Sequence, residues 1–423
     1  MPIKTMTYYL LTLGCPKNDV VSEKAASTLI SLGLTGTDDP RYADIICING
    51  CSFIASAVTE VKREIEEIVA GKMPHQKVII FGCLAQRFKS PDSIGLTGVD
   101  GFYSSFERVV TELDISPHTV KSPRLPIFKT YGYVEIAQGC SKRCAYCTIP
   151  LFKGPFRSKH VDLIMEEIRE LTNAGVQEII LVAQETTFYG SDVGSSVTLA
   201  RLIRQITLKF PLIPRIRILY AHPLGVTDEL IATIKECPAV CHYIDIPLQH
   251  ASNKILRSMN RPPVSISEKA LDKLKTEMPD ISLRSTFIVG YPGETESDIV
   301  VLKAFLQKWQ FDKVGFFAYS PEPETESFAL HDRVPDDTKQ KRLKDLYAFQ
   351  NRIALKKNRS LIGHTMEVLV EEVFDSSCKG RSYREAPEID GQIIVQNVTQ
   401  IGSIINVKIT AADSSNLESI INL

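Results

Sequence analysis

Gly139-Cys140-Ser141-Lys142-Arg143-Cys144-Ala145-Tyr146-Cys147 sets three thiols at spacings of four and three residues, in a loop just after the apolar run 131–137. Three thiolates this close can converge on one metal centre, yet no fourth cysteine follows nearby. A structural zinc site closes with four ligands, and ordinary ferredoxin clusters also take four thiolates. An iron–sulfur cluster with one open corner fits the count better, because it leaves one iron free for another ligand. A zinc knuckle and chance clustering are the plainer readings, and the surrounding sequence has to decide among them.

Outward from the loop, residues 129 to about 330 alternate strand and helix. Strands are expected at 131–137, 178–182, 216–219, 242–246, 282–289 and 313–317, with helical patterns at 161–173, 199–208, 229–237 and 267–278 between them. Six strands with crossover helices predict a partial (β/α) barrel whose active site lies at the strand C-terminal ends. Polar residues gather at those ends: Gln184-Glu185-Thr186-Thr187, Tyr220-Ala221-His222, Pro247-Leu248-Gln249-His250, Gly290-Tyr291-Pro292-Gly293-Glu294 and Tyr319-Ser320. Any one of them is ordinary loop chemistry. Sharing a rim with the Cys140 loop, they make a site.

Upstream, residues 1–115 also alternate, with strands expected at 8–13, 44–49 and 77–81 and helices at 22–32 and 57–70. Such units imply a parallel sheet with helices on its faces. Cys15, Cys51 and Cys83 each follow one strand, 36 and then 32 residues apart, about one βαβ unit each. Parallel strands end on the same edge, where ligands of these sheets bind. The alternative is three buried structural cysteines, which does not explain why all three fall at strand ends; a second three-thiolate cluster is favoured. Cys47 sits inside its strand, and Cys237, Cys241 and Cys378 form no triplet, so these four are assigned to packing. Residues 116–128, with Pro117, Pro123 and Pro126, read as a linker.

A basic helix is expected over 335–360, with eight Lys or Arg against Asp345 alone in 339–359. A charged helix face is usually solvated, but it can also contact phosphate. Beyond it, 361–423 changes character: alternation at 366–373, 392–395 and 404–409 with intervening glycines predicts a small antiparallel β-barrel of about five strands. It carries four Lys or Arg against nine Asp or Glu, a net −5.

Across 423 residues, 44% hydrophobic and 23% charged content and a net charge of −1 describe an ordinary globular protein without the charge of a nucleic-acid binder. Mean hydropathy is −0.02. Gly14, Pro16, Lys17 and Asn18 interrupt the N-terminal apolar run, so it does not read as a signal peptide, and no stretch reaches transmembrane length. Ten cysteines without such a signal suggest a reducing, cytoplasmic compartment and metal chemistry rather than disulfides. The fold class expected is multidomain α/β: a parallel-sheet domain (1–115), a linker (116–128), a partial barrel (129–355) and the small β-barrel (358–423).

The Cys-x3-Cys-x2-Cys loop, with Tyr146 before its last thiol, resembles the signature of the radical S-adenosylmethionine (SAM) enzymes. Further motifs run along essentially the whole chain: Leu13-Gly14-Cys15-Pro16-Lys17-Asn18, Ala183-Gln184-Glu185-Thr186-Thr187-Phe188-Tyr189-Gly190, Ile246-Pro247-Leu248-Gln249-His250, and Gly380-Arg381-Ser382-Tyr383 with Ala386-Pro387-Glu388-Ile389-Asp390-Gly391. Together they resemble the methylthiotransferases, and within them the ribosomal-protein branch (RimO-type) rather than the tRNA-adenosine branch (MiaB-type). The fold implied is a methylthiotransferase N-terminal domain, a radical SAM core and a C-terminal TRAM domain. Val20-Val21, Lys153 and Glu324 depart from the expected pattern without touching a ligand position.

The resemblance implies conversion of C–H to C–S–CH3 at an aspartate β-carbon of small-subunit ribosomal protein twelve. It implies two [4Fe–4S] clusters, on Cys140, Cys144 and Cys147 and on Cys15, Cys51 and Cys83, together with SAM as radical source and methyl donor. Gln184 and Glu185 are candidates for the SAM amino group, Arg284 for its carboxylate through guanidinium pairing, and Tyr146 for the adenine side; a barrel salt bridge is the alternative for Arg284. The partners implied are the ribosomal protein, free or on the ribosome with rRNA contact, and an electron donor such as flavodoxin or ferredoxin, with no membrane. Two other readings are a tRNA methylthiotransferase, which would keep all six thiols, and a non-enzymatic iron–sulfur RNA-binding protein, which would need no SAM pocket.

Overall fold

Ile45–Gly50 is buried along its whole length and Lys77–Phe81 along all but its first residue, as in parallel strands covered on both faces. In the computed structural model, which describes residues 6–113, 123–194 and 196–421, they lie at the centre of a five-stranded parallel sheet. Its order is Thr35–Gly36, Thr7–Leu13, Ile45–Gly50, Lys77–Phe81, Gly101–Tyr103. The two edge strands have two and three residues and are too short to show a sequence period. The chain changes direction across the sheet between Thr7–Leu13 and Ile45–Gly50, the kind of switch point where doubly wound sheets open a crevice. The helix expected at 22–32 begins earlier and spans Pro16–Ser31. Pro16 needs no N–H partner at the first helical position and its φ suits the turn, so Cys15 becomes the N-cap.

Residues 116–122 of the expected linker lie outside the described residues. From Tyr131, six parallel strands follow: Tyr131–Glu135, Glu178–Val182, Arg215–Ile218, Tyr243–Asp245, Ser282–Val289 and Lys313–Ala318. They form two three-stranded ladders, joined by bonds from Cys241 N to Ile216 O (2.9 Å) and from Ala221 N to Asp245 O (2.8 Å). The result is an open arc of a (β/α) barrel. The expected strand 131–137 divides: Ala137–Gln138 leaves the arc and pairs antiparallel with Arg157–Ser158, and the cysteine loop lies between these two short strands. Outward-facing apolar residues pack under the crossover helices, whereas Tyr131, Tyr133, Ile180, Val182, Leu219 and Tyr243 form a separate interior layer. Val20 of the N-terminal domain and Ala386 of the C-terminal domain complete that layer.

The helix Asp336–Arg359 leads to a closed five-stranded barrel. It is not antiparallel throughout, since Ile393–Val395 pairs in parallel with Leu417–Ile421. The segment 381–390 of this domain seals the N-terminal end of the large barrel. Arg217 donates to Tyr383 O (2.7 Å), Arg215 to Arg381 O (2.7 Å), Tyr243 OH to Asp390 (2.8 Å), and Ser282 Oγ to Arg384 O (3.1 Å). The Gly380–Gly391 motif is therefore the floor of the barrel, opposite the cysteine rim. Among the described residues, no helix is long and apolar enough to cross a membrane.

Candidate functional site

All ten cysteines are free thiols. Cys15, Cys51, Cys83, Cys140, Cys144 and Cys147 are half-exposed, while Cys47, Cys237, Cys241 and Cys378 are buried. The six set apart by spacing are thus the six that are not buried.

In the N-terminal sheet, Leu13 pairs with Gly50 and Asn49 with Phe81, so the three strands end level and present Cys15, Cys51 and Cys83 on one edge. Gly14, at φ +144°, allows the close approach: a Cβ there would come within 2.7 Å of Asn18 Nδ2 and 3.0 Å of Cys51 Cβ. Asn18 is buried, donates to Leu13 O (3.0 Å), and turns its Oδ1 to the sulfurs of Cys15 (3.9 Å) and Cys83 (3.8 Å). Asn49 in turn donates to Asn18 O at 2.9 Å. Burial pushes the Cys51 thiol up to about 11, and Cys15 and Cys83 nearby add to the shift.

The second trio sits on a loop pinned by its backbone. Cys140 N donates to Gly154 O (3.0 Å), Ala145 N to Met259 O (3.0 Å), and Ser327 N to Ala145 O (2.8 Å). Gly139, at φ +73°, has no room for a Cβ, which would meet Pro155 O at 2.2 Å. Burial pushes Cys147 up to about 12, with Cys144 and Cys140 adding, and raises Cys140 as well. A coordinating cation reverses that balance and deprotonates the thiol. Among the described residues, no three His, Cys, Asp or Glu side chains are drawn close enough to hold a single metal ion. Tyr146 packs with Ile255, Met259, Tyr291 and Tyr319, and burial beside Cys144 raises its hydroxyl well above the usual range.

At the rim, Gln184 carries a buried Oε1 with no partner. Glu185 is 5% exposed and accepts from Thr187 Oγ1 at 2.9 Å; burial pushes its carboxyl up to about 7. Tyr220 (φ +61°) and Gln249 (φ +73°) hold left-handed backbone at two strand ends, strain of the kind that collects at functional sites. Burial, then Arg261 and Lys142, bring His222 down to about 3, leaving it neutral.

Arg261 stands at the rim, where the sequence reading placed no basic residue. Its Nη1 is 3.9 Å from Cys144 Sγ, its Nη2 donates to Pro247 O at 2.7 Å, and its Nε is buried without a partner. In the sequence it shows only as one basic residue between Asn260 and Pro262-Pro263, with no spacing signal. Arg284 is placed elsewhere: in register with Asp245, it donates to that carboxylate (2.8 Å) and lies 3.4 Å from Asp390 of the floor segment. Its guanidinium forms a barrel ion pair of the kind raised as the alternative for it above, while its buried Nε, like that of Arg261, has no hydrogen-bond partner.

Residues beside the two trios meet across the domain seam. Thr148, next to Cys147, donates to Phe53 O, two residues past Cys51, at 3.1 Å. Ala55 N donates to Glu322 (2.8 Å), and Arg87 bonds Glu322 (2.8 Å) and Glu324 (2.7 Å). Lys153 stands beside Cys83. Two of the departures from the family pattern, Lys153 and Glu324, are therefore both on this seam.

A six-stranded arc with a three-cysteine loop at its rim, a parallel α/β domain before it and a small barrel after it defines a radical SAM protein of the three-domain type. Comparison agrees, with the Radical SAM superfamily profile matching residues 134–306, that of "Uncharacterized protein family UPF0004" 7–94 and that of the TRAM domain 362–421. Relatives named ribosomal protein uS12 methylthiotransferase RimO match nearly end to end. That of Roseiflexus sp. (strain RS-1) is 38% identical, covering 96% of this chain and 95% of its own length; that of Synechococcus elongatus is 39% identical, covering 95% and 92%. The chain belongs to the RimO family of radical SAM methylthiotransferases. Among solved structures, the radical SAM methyltransferase TsrM from Kitasatospora setae aligns with a TM-score of 0.56 at 13% identity, over 76% of this chain and 77% of its own. The cobalamin-dependent radical enzyme OxsB gives 0.52 at 14%, over 82% and 56%. These two likenesses concern the fold alone.

Proposed function

We propose that this protein methylthiolates an aspartate β-carbon of ribosomal protein uS12. The reading rests on near-full-length identity of about 38% to proteins named for that activity, joined to two cysteine trios whose neighbours meet across one seam. The donor sets fit the groups the family uses. Each trio has three thiols and no fourth, and the rim holds orphaned polar atoms on Gln184 and Arg261 where a zwitterionic ligand would satisfy them. Cys140, Cys144 and Cys147 would hold one [4Fe–4S] cluster and Cys15, Cys51 and Cys83 the other. Gln184 and Glu185 suit the SAM amino group, Arg261 its carboxylate in preference to the ion-paired Arg284, and Tyr146 the adenine side. Bound there, these cofactors supply the one-electron chemistry that an unactivated C–H bond requires.

The chain's own residues orient and exclude. The Gly139–Cys147 loop is fixed by three backbone bonds, the Arg87–Glu322–Glu324 contacts hold the seam shut, and the floor segment closes the barrel beneath. Exposed Glu367, Glu372, Asp375, Glu388, Asp413 and Glu418 outnumber exposed Lys408 and half-buried Lys379 on the small barrel. That balance favours a basic protein partner over polyanionic tRNA. On the helix Asp336–Arg359, Arg342 and Lys357 turn inward to Glu294 and Asp312, and Lys339 pairs with Asp336 of its own first turn. Lys341, Lys344, Arg352, Lys356 and Arg359 stay exposed and would meet rRNA beside the substrate. A flavodoxin- or ferredoxin-type protein would deliver electrons, in the cytoplasm. Anaerobic reconstitution followed by incubation with uS12 and with tRNA tests the reading; methylthioadenosine in tRNA, with uS12 untouched, would overturn it.

A further inference from the structure

We infer that Lys17 is the receptor for the carboxylate of the substrate's target aspartate, and hence a specificity-determining residue for this reaction. The inference rests on the proposed function above, because it takes the substrate side chain to be an aspartate. Lys17 follows Cys15 by two residues in the first turn of the helix Pro16–Ser31. Its side chain does not stay with its own domain: the ammonium crosses the seam and lies 4.2 Å from the centre of the Tyr220 ring, at the barrel rim. It therefore stands between one cysteine trio and the rim that carries the other. A group attacked at the β-carbon must present that carbon there, with its carboxylate one bond away.

Three other cations line the cleft, and Lys17 has the Cys15 and Cys83 thiols in its own surroundings. Lys142 lies 3.7 Å over the Phe188 ring, Arg261 binds Pro247 O and approaches Cys144, and Lys153 sits at Cys83. Lys17 is half-buried and, among the described residues, has no hydrogen bond and no Asp or Glu oxygen within 4 Å. Glu135, which shares its surroundings, is held by Gln138 Nε2 at 2.8 Å. A carboxylate leaving water for this seam needs a cation to meet it, and Tyr220 holds Lys17 in place by its ring face. Tyr220's left-handed backbone, otherwise unexplained, turns that ring toward the seam. An adenosine base offers Lys17 no such anion, so the same residue would favour the protein substrate over tRNA.

The test uses the full-length, anaerobically reconstituted protein as parent and as Lys17→Gln and Lys17→Arg. Each is paired with uS12 and with uS12 whose target aspartate is replaced by asparagine. Iron content and substrate-free SAM cleavage are measured first and should be unchanged in both variants. Dissociation constants then form a double-mutant cycle. The parent should bind the asparagine substrate at least about thirtyfold more weakly than uS12, as expected for truncating one side of a desolvated charge pair. Lys17→Gln should bind both substrates equally weakly, and Lys17→Arg should keep part of the discrimination. Equal discrimination by the parent and Lys17→Gln would overturn the inference alone. Loss of iron in both variants would assign Lys17 to cluster binding and overturn it too. Failure of the parent to bind uS12 at all would instead refute the functional reading beneath it.

Discussion

Arg381→Met should loosen the small barrel from the large one. Arg381 is 1% exposed. Its guanidinium donates to Glu371 at 2.6 and 3.0 Å and to Glu385 O at 2.9 Å, and lies 3.0 Å from Glu178. Glu178 is also 0% exposed. Burial works to raise its carboxyl, but Arg217 and Arg381 outweigh it and hold it at about 2. Methionine preserves most of the packing and leaves Glu178 with Arg217 as its cationic partner. Breaking one side of a buried ion pair costs about 3–5 kcal/mol. At roughly 2–4 °C per kcal/mol for a domain of about 200 residues, the melting midpoint should fall by about 10 °C. The assay is thermal melting with limited proteolysis of the junction at 360–364, and Arg41→Met, at an exposed pair with Asp39, is the control that should not move. A midpoint within about 1 °C of the parent would refute the view that this segment locks the barrel floor.

Cys144→Ala should halve the iron of a protein that otherwise carries about eight irons in two four-iron clusters, and should abolish SAM cleavage; normal cleavage would remove the central loop from the chemistry. Cys51→Ala should keep cleavage to 5′-deoxyadenosine and lose transfer of sulfur, so continued methylthiolation would make the strand-end thiols structural. Glu185 has a folded carboxyl raised to about 7 from an unfolded value near 4.5, so the folded apoprotein holds the extra proton between those values. Stability should therefore fall as pH rises from 5 to 8, by on the order of 3 kcal/mol. Denaturant titrations of Glu185→Gln should show that part of the slope gone, and an unchanged slope would contradict the burial argument. Reversing Glu367, Glu372 and Glu418 to Lys should weaken uS12 binding most at low salt, and equal affinity would acquit the small barrel's charge. Glu371 is unsuited to that test because it is committed to Arg381.

The strands and the cysteines were legible because periodicity and spacing carry them. Residues 77–81 and 178–182 are β-rich apolar runs bounded by polar ends, and Cys15, Cys51 and Cys83 repeat at the length of a βαβ unit. What the sequence hid was partnership across long separations. Arg284 and Arg261 look alike as lone arginines, yet one pairs in register with Asp245 and is met by Asp390 from another domain, while the other brings its Nη1 to Cys144 at the rim. The net −5 of the last domain was countable, but not that Glu371, Glu385 and Asp390 are spent holding the floor segment. Thr35–Gly36 and Gly101–Tyr103 were too short for any period, and the parallel pair Ile393–Val395 with Leu417–Ile421 follows from barrel closure rather than from a local pattern.

The most direct test of the central claim is the mass of uS12 after anaerobic turnover with the reconstituted protein, SAM, a sulfur source and a reductant. The expected result is a gain of one sulfur plus one methylene on a single peptide, localised by fragmentation to an aspartate side chain and absent when Cys51 or Cys144 is replaced by alanine. An unmodified uS12, under conditions where SAM is cleaved and both clusters are present, would contradict it.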